Sequence, residues 1–370
     1  MTDIGSLRQQ LEDEGHLDTL AKDAAIAFGT KTEQLVGQQL MPERLTDSNE
    51  FSEIDIRFEG SPANDATRYS EPQMKRGGSV AVAEGRYGEI DIAAQLTGRD
   101  FDDIRKAAAN NPERAKAQLI SWHNQNLNLA LVKKQEIQRW QVMLNARLEI
   151  LGTDGKVSFL NFNDPEGHRI TVPSGTRATP AGWYGSTIDP VDALLAGKSA
   201  INSKGYEVSR VIGDSRITNV LANNPIIQGR LGTVTIADGA LTTRRTVGSL
   251  SSVAGLLATF GLPYEEYNAS YRTQIGSGFY KEPGTILMVA TTGRNAEVFT
   301  ASETIILENV LGYYGIGLAV GENNPGRVIR SVSSNMKPVG IYGQGFQASA
   351  PVLLASEAIA VIRIPEPVAA

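Results

Sequence analysis

Polar and apolar positions alternate from Glu53 onward: "EIDIRFEG" sets Ile54, Ile56 and Phe58 against Asp55 and Arg57, the period of a strand with one buried face. A matching run, "GEIDIAAQL", begins at Gly88, and the two predict the sides of a long β-hairpin. The 28 residues between them, "SPANDATRYSEPQMKRGGSVAVAEGRYG", are rich in Gly, Pro, Ser and charge. Hairpin connections usually take about 2 to 5 residues, so a segment of this size is either disordered or reaches out to touch something.

Helical spacing governs the next stretch. Asn111 as N-cap, Pro112 at the first helical position and Glu113 in the first turn open a helix that runs to about Ile150 without glycine or internal proline. At about 1.5 Å per residue it spans roughly 55 to 60 Å. Its stripe, Leu119, Trp122, Leu129, Ile137, Trp140, Leu144 and Leu148, is broken at Asn126 and Lys133, which is too irregular for a heptad coiled coil and fits a helix lying along a sheet. Before it, Leu7, Leu11, Leu17, Leu20 and Ala21 suggest a helix within 5–27 that Gly15 interrupts.

After it, short elements alternate without a repeat. "GTDGKVSFLNFNDPEGHRITVP" reads as strand, turn and strand. Helices are predicted from Asp189-Pro190 to Gly205, from Asp214 to before Pro225, and over "VGSLSSVAGLLATFG" up to Gly261. "YEVSRVIG", "TVTIA", "GTILMVA" and "AIAVIRIP" read as strands, which makes the chain α+β rather than a regular βαβ succession.

Composition narrows the classes. A length of 370 residues predicts two interleaved or consecutive domains, and 41% hydrophobic with 21% charged residues is ordinary for a globular protein. There is no cysteine, so disulfides, thiolate zinc sites and cysteine nucleophiles are excluded. The N-terminus lacks a basic segment followed by an apolar core, and no run approaches 18 apolar residues, so a soluble protein made in the cytosol, with no membrane partner, is expected. Charge is uneven: residues 1–60 hold 13 acids against 5 bases, a balance of −8 that leaves the other 310 residues at +2 of the total −6. Such an arm reads as an interaction tail or as a solvated helix face. The long helix, with six bases against three acids, complements it.

The motifs that look chemical fail in context. Gly197-Lys198-Ser199 ends like a phosphate-binding loop, but Asp192 stands where the first glycine belongs, and Val191, Leu194, Leu195 and Ile201 place the tripeptide inside a helix whose N–H groups are committed. "GQGFQA" at Gly343–Ala348 matches a loose dinucleotide pattern, yet only 22 residues follow and Pro351 blocks a helix. It reads instead as a close backbone approach in a strand, as does "GYYGIGLAVG". His16, His123 and His168 lie far apart without metal-ligand spacing and read as surface or capping residues. Asn268-Ala269-Ser270 is a glycosylation pattern without a leader. No catalytic, cofactor-binding or metal residue is assigned, and no enzymatic activity is expected.

An acidic arm, an overlong hairpin, a very long helix and an α+β half without an active site describe a protein whose work is contact with copies of itself. Five separated segments carry a resemblance: "MKRGGSVAV", "KKQEIQRWQVMLNARLEILGTDGKVSFLNF", "DPVDALLAGKSAINSKGYEVSRVIGDSRITNVLANNPIIQGRL", "EEYNASYRTQIGSGFYKEPGTILMVA" and "QASAPVLLASEAIAVIRI". From about Leu40 to Pro365 the chain resembles the major capsid proteins of tailed double-stranded DNA phages, specifically the phage lambda head-protein family with the Hong Kong 97 type fold.

That resemblance implies an N-terminal arm (1–50), an extended loop (51–98), a peripheral domain (99–180 plus 339–370) with a spine helix over about 112–150, and an axial domain (181–338). It implies hexamers and pentamers closing into an icosahedral head in the virion. It further implies that the head assembles in the host cytoplasm as a precursor that expands as DNA is packaged, with scaffold, portal and decoration proteins as partners and non-specific DNA contact inside. Met74, Lys75, Arg76, Gly77, Gly78, Ser79 and Val80 are the expected inter-subunit contact, with Gly77-Gly78 giving the loop conformational freedom. Lys75 is the only lysine in that loop, but the covalent cross-link of one branch of the fold is generally lacking in the lambda branch. A cellular nanocompartment shell of the same fold is the alternative, and a nucleotide-binding enzyme using Gly197–Ser199 a remote one.

Overall fold

The computed structural model describes residues 35–57, 79–151, 157–176, 179, 181–185, 188–231, 233–237, 240–244, 250–272, 276–291, 295–299, 304–308, 310–334 and 340–367. The arm helix expected within 5–27 lies outside them. Helix α1 (Val36–Leu40) and strands β1 (Glu43–Leu45), β2 (Glu50–Arg57), β3 (Ser79–Arg86) and β4 (Gly88–Thr97) lead into α2 (Gly98–Asn110), α3 (Pro112–His123) and α4 (Leu129–Asn145). Next come β5 (Arg147–Leu151), β6 (Val157–Asn161), β7 (Arg169–Thr171), α5 (Pro190–Asn202), β8 (Arg210–Gly213), α6 (Ser215–Asn223) and α7 (Pro225–Leu231). Strands β9 (Thr233–Ala237) and β10 (Ala240–Arg244), α8 (Leu250–Thr259), β11 (Tyr264–Glu266), β12 (Ser270–Arg272) and β13 (Ser277–Phe279) follow. The chain closes with β14 (Thr285–Val289), β15 (Asn295–Phe299), β16 (Thr304–Glu308), β17 (Gly312–Gly317), β18 (Val328–Ser334), β19 (Gly340–Leu353) and β20 (Ile359–Arg363).

The long helix starts as its sequence predicts, with the Asn111 side chain accepting from Arg114 N at 3.1 Å and Pro112 in the first turn. It ends five residues before Ile150. Ala146 turns left-handed (φ 49°) and sends its N–H back to Val142 O, and Arg147 is already in β5. A left-handed alanine has no sequence signature, since glycine or asparagine usually takes that position, so the apolar period running on through Leu148 overshoots. Between α3 and α4 lies one π turn, Asn124–Asn128, where the stripe breaks. Its amides support the wide turn: Asn126 Nδ2 donates to Trp122 O at 2.9 Å and Asn128 Nδ2 to Asn124 Oδ1 at 3.1 Å.

Two five-stranded sheets organise the rest. In the first, β19 is central: β17 and β18 pair with successive parts of one edge, β4 with the other, and β1 adds parallel to β17. The long helix lies on this sheet. Cβ atoms built on Gly343 and Gly345 would sit 2.8 Å from Leu127 Cδ1 and 3.3 Å from Leu127 Cβ, so the "GQGFQA" glycines make room for the helix at its π turn. The second sheet runs β11-β8-β14-β20-β7 and carries α5. One apolar core serves both sheets, and a smaller cluster of Leu96, Phe101, Ile104, Ala115, Leu119 and Ile341 seals α2 and α3 to the first.

One expectation changes. The partner of β2 is β3, with Ile54 opposite Val82 and Ile56 opposite Val80, whereas β4 leaves the hairpin to pair with β19. The sequence hid this because β3 and β4 are separated by Tyr87 alone and both alternate. Strands β17 and β18 pair in the sheet under the long helix, and β20 pairs in the other.

Candidate functional site

Gly197, Lys198 and Ser199 lie within α5, whose N-cap Asp189 accepts from Val191 N at 3.0 Å. Gly197 is buried, and a Cβ there would stand 2.8 Å from Met288 Sδ of β14, so the glycine lets helix and sheet approach. Lys198 Nζ donates to Phe260 O (2.8 Å) and Gly261 O (3.3 Å), capping the C-terminus of α8. Nothing in this arrangement is free to cradle a phosphate. The histidines are buried rather than on the surface: His123 Nδ1 is 2.8 Å from Leu119 O and His168 Nδ1 is 2.7 Å from Ile359 O, while His16 lies outside the described residues. Asn268 caps α6, accepting from Ser215 N at 2.9 Å. Among the described residues no group of three or more His, Cys, Asp or Glu side chains is placed to hold a metal, and no helix is long and apolar enough to cross a membrane.

The strongest electrostatics sit on the buried face of α4. Glu136 is fully buried, and its Oε1 accepts from Gly37 N (2.9 Å), Trp140 Nε1 (2.8 Å) and Tyr267 Oη (3.2 Å). Burial pushes this carboxyl above its ordinary range, against the pull of Arg139 and of the three donors. Arg139, equally buried, donates from Nε to Met41 O at 2.9 Å, lies 3.6 Å from Glu136 Oε2 and 3.8 Å from Glu43 Oε1, and stacks over Tyr314. Glu43 also pairs with Arg327. Four charges of alternating sign therefore fasten α1 and β1 to the long helix and the first sheet. Beside them Gln135 donates to Gln347 (3.1 Å), Gln347 to Ser349 (2.9 Å), and Tyr314 joins Gln138 to Ser349. Sequence reasoning missed this layer. The signal was "QEIQR", a polar run between the apolar Leu131-Val132 and Trp140.

A second buried pair braces the other sheet. Lys281 Nζ donates to Asp214 Oδ2 (3.1 Å) and Thr285 O (2.6 Å), and Asp214 also accepts from Ile217 N and Gly284 N as the N-cap of α6. Burial pulls the Lys281 amine below its ordinary range, and Asp214 opposes that.

Of the predicted contact residues, Met74 to Gly78 lie outside the described residues, and Ser79 and Val80 open β3, opposite Arg57 and Ile56. The first sheet presents a second surface on the face opposite the helix. Tyr342 stands between Gln95 and Val332 in register, Val332 is 64% exposed, and Arg330 lies over the Phe346 ring.

No family model matches this chain, and no curated protein sequence matches it. Solved structures do. A phage-related protein of Bordetella bronchiseptica superposes with a TM-score of 0.51 over 94% of this chain and 96% of its own, at 14% identity. A protein described as a prophage capsid protein of Escherichia coli superposes with a TM-score of 0.50 over 78% of this chain and 80% of its own, also at 14% identity. The chain has the α+β fold of these proteins, the Hong Kong 97 type capsid fold.

Proposed function

We propose that this chain is a structural shell subunit: the major capsid protein of a tailed phage, whose copies form the hexamers and pentamers of an icosahedral head around double-stranded DNA. The observation that carries this reading is the fold, shared across nearly the whole chain with a phage-related protein and across most of it with the prophage capsid protein.

Local physics supports it. Five two-stranded ribbons, β2–β3, β5–β6, β9–β10, β12–β13 and β15–β16, pair outside both sheets. The ribbons β5–β6 and β12–β13 pack on the chain's own core through Leu148, Leu160 and Tyr271; a two-stranded ribbon without such support is marginal in water, and in this reading neighbouring copies cover β9–β10 and β15–β16. In this reading β2–β3 is the extended loop, Met74–Val80 its contact with a neighbour, the spine-helix sheet the peripheral layer and the α5 sheet the axial one. Lambda-type kinship, scaffold, portal and decoration partners and DNA contact inside a virion belong to the same proposal.

Electron microscopy of the expressed protein tests it. Closed shells or hexamers are the expected product, and removal of residues 58–78 should abolish them. A chain that stays monomeric under every assembly condition refutes the proposal, and closed shells that never take up DNA in infected or induced cells refute its phage-head form.

A further inference from the structure

From Tyr314 to Gly317, strand β17 turns its bulky residues toward the long helix and its glycines away. Tyr314 reaches Gln138 of α4, and Ile316 stands on the same side by alternation. On the other side Gly315 and Gly317 lie opposite Ala350 and Ala348 of β19, so four adjacent positions carry at most a methyl group. Tyr87 fills this notch. A Cβ on Gly315 would fall 2.3 Å from Tyr87 Oη, and one on Gly317 would fall 2.7 Å from Tyr87 Cδ2, closer than Cβ contacts in folded proteins come. Phe51 stacks on the Tyr87 ring with centroids 5.5 Å apart, and both side chains are buried. Phe51 is fitted in turn against Gly85, where a Cβ would stand 2.6 Å from its Cζ.

The position of this ring in the chain gives it leverage. Strands β3 and β4 make one nearly continuous extended run, but β3 pairs with β2 in a two-stranded ribbon and β4 pairs with β19 in the first sheet. Tyr87 is the single residue between them. The other strand of the ribbon enters through Thr46–Asn49. Among the described residues two backbone bonds hold this crossing, Thr46 N–H to Ile316 O and Tyr87 N–H to Asn49 O, each 2.9 Å. The first rung beyond it, Arg86 with Glu50 at 2.7 Å, is an exposed ion pair and adds little. No ladder joins the ribbon to the sheet. Backbone bonding therefore leaves the crossing free to bend, and the buried ring on its glycine floor fixes the direction.

We propose that Tyr87 is the pin of a hinge. Seated on Gly315 and Gly317 it holds the β2–β3 ribbon at one angle to the first sheet, and unseated it lets the ribbon swing about Tyr87 and Thr46–Asn49. The hinge belongs to one chain and acts with or without a shell. If the ribbon is the loop that reaches a neighbouring copy, which rests on the capsid reading, the pin delivers its far end to a fixed place.

Distances between paired spin labels, read by double electron–electron resonance in the full-length, unassembled subunit, test it. The chain has no cysteine, so Ala81→Cys/Lys134→Cys labels only β3 and an exposed position of α4. Ala81 lies about 20 Å along the ribbon from Tyr87, so a swing of about 20° moves it about 7 Å. One narrow distribution is expected for the parent and for Tyr87→Phe, which keeps the ring. Tyr87→Ala, which empties the notch, and Gly315→Ala, which pushes the ring out, should each shift or broaden the distribution by about 5 Å or more. A second pair, Val332→Cys/Lys134→Cys, spans the sheet from β18 to α4 and should read the same distance in every variant. The same Ala81–Lys134 distribution in Tyr87→Ala and Gly315→Ala as in the parent, narrow or broad, overturns the proposal. So does a Val332–Lys134 distance that changes with it, which makes Tyr87 a core residue of the sheet and not a pin.

Discussion

Replacing Arg139 by Met removes the only cation within 4 Å of Glu136 among the described residues and leaves a carboxylate in a site with no solvent access. Breaking a buried pair from one side costs about 3–5 kcal/mol, because the surviving charge stays buried. Arg139 also donates to Met41 O and stacks on Tyr314, so part of that loss is independent of Glu136. Glu136→Gln separates the two parts. The amide oxygen still accepts from Gly37, Trp140 and Tyr267, but no charge remains to be stranded, so Arg139→Met should cost less in this background by about 1–3 kcal/mol. The cycle is read by urea unfolding of the unassembled subunit. The pH dependence adds an independent sign. Burial raises the folded pKa of Glu136 above its ordinary 4.5, so the folded state binds the extra proton between the two values. Its contribution to stability is therefore greatest below pH 4.5 and declines as pH rises through the folded value. Glu136→Gln should flatten that decline, and Arg139→Met, by raising the folded value further, should carry it to higher pH. An Arg139→Met cost below about 1 kcal/mol at pH 7, or one unchanged by Glu136→Gln, refutes the account.

Lys198→Ala should lower stability by about 0.5–1.5 kcal/mol through loss of the α8 cap, with no nucleotide binding to lose by calorimetry. Gly343→Ala sets a methyl against Leu127 and Trp122 and should cost about 1–3 kcal/mol by thermal unfolding, whereas Gly321→Ala, where a Cβ meets nothing, should show only the smaller penalty of its positive φ. Asp214→Ala strands Lys281 and uncaps α6, with an expected loss of about 3–5 kcal/mol in urea. Burial pushes the Tyr280 phenol up to about 12, so ultraviolet titration should find it still protonated at pH 11, a state that Tyr280→Phe deletes from the late part of the curve.

Elements with their own punctuation were legible in the sequence. Asp189-Pro190, Asn111-Pro112 and Asp214 each cap a helix through the side-chain oxygen their residue type predicts. Alternation located β2 and β4, because a strand with one buried face writes its period into the chain. It did not say which strands pair: β4 and β19 lie more than 240 residues apart, and each also alternates against other candidates. The phosphate-loop mimic dissolved by helix logic alone, but the role of Lys198 depends on Phe260 and Gly261, 62 and 63 residues away. The polar layer on α4 was invisible for a related reason. Nothing in the types of Gln135, Glu136, Gln138 and Arg139 marks them as interior, and only the packing of α1, β1 and β19 around them makes that face an interior.

That layer solves a problem peculiar to a helix of about 50 Å lying along a sheet. An all-apolar stripe resists sliding only weakly, since a shift of one turn, about 5.4 Å, exchanges one apolar contact for another. The four polar residues are each matched to a particular partner: Gln347, Gly37 with Tyr267, Tyr314, and Met41 with Glu43. A one-turn slip unpairs all four while they stay buried. At about 1–3 kcal/mol per unmatched group, that amounts to roughly 4–12 kcal/mol, comparable to the whole stability of a typical domain at about 5–15 kcal/mol. The glycine notch at Gly343 and Gly345, filled by Leu127 at the π turn, pins a second point further along the axis. Two fixed points set both the position and the direction of the helix on the sheet. The Glu136–Arg139 cycle and Gly343→Ala therefore probe the same property from opposite ends of it.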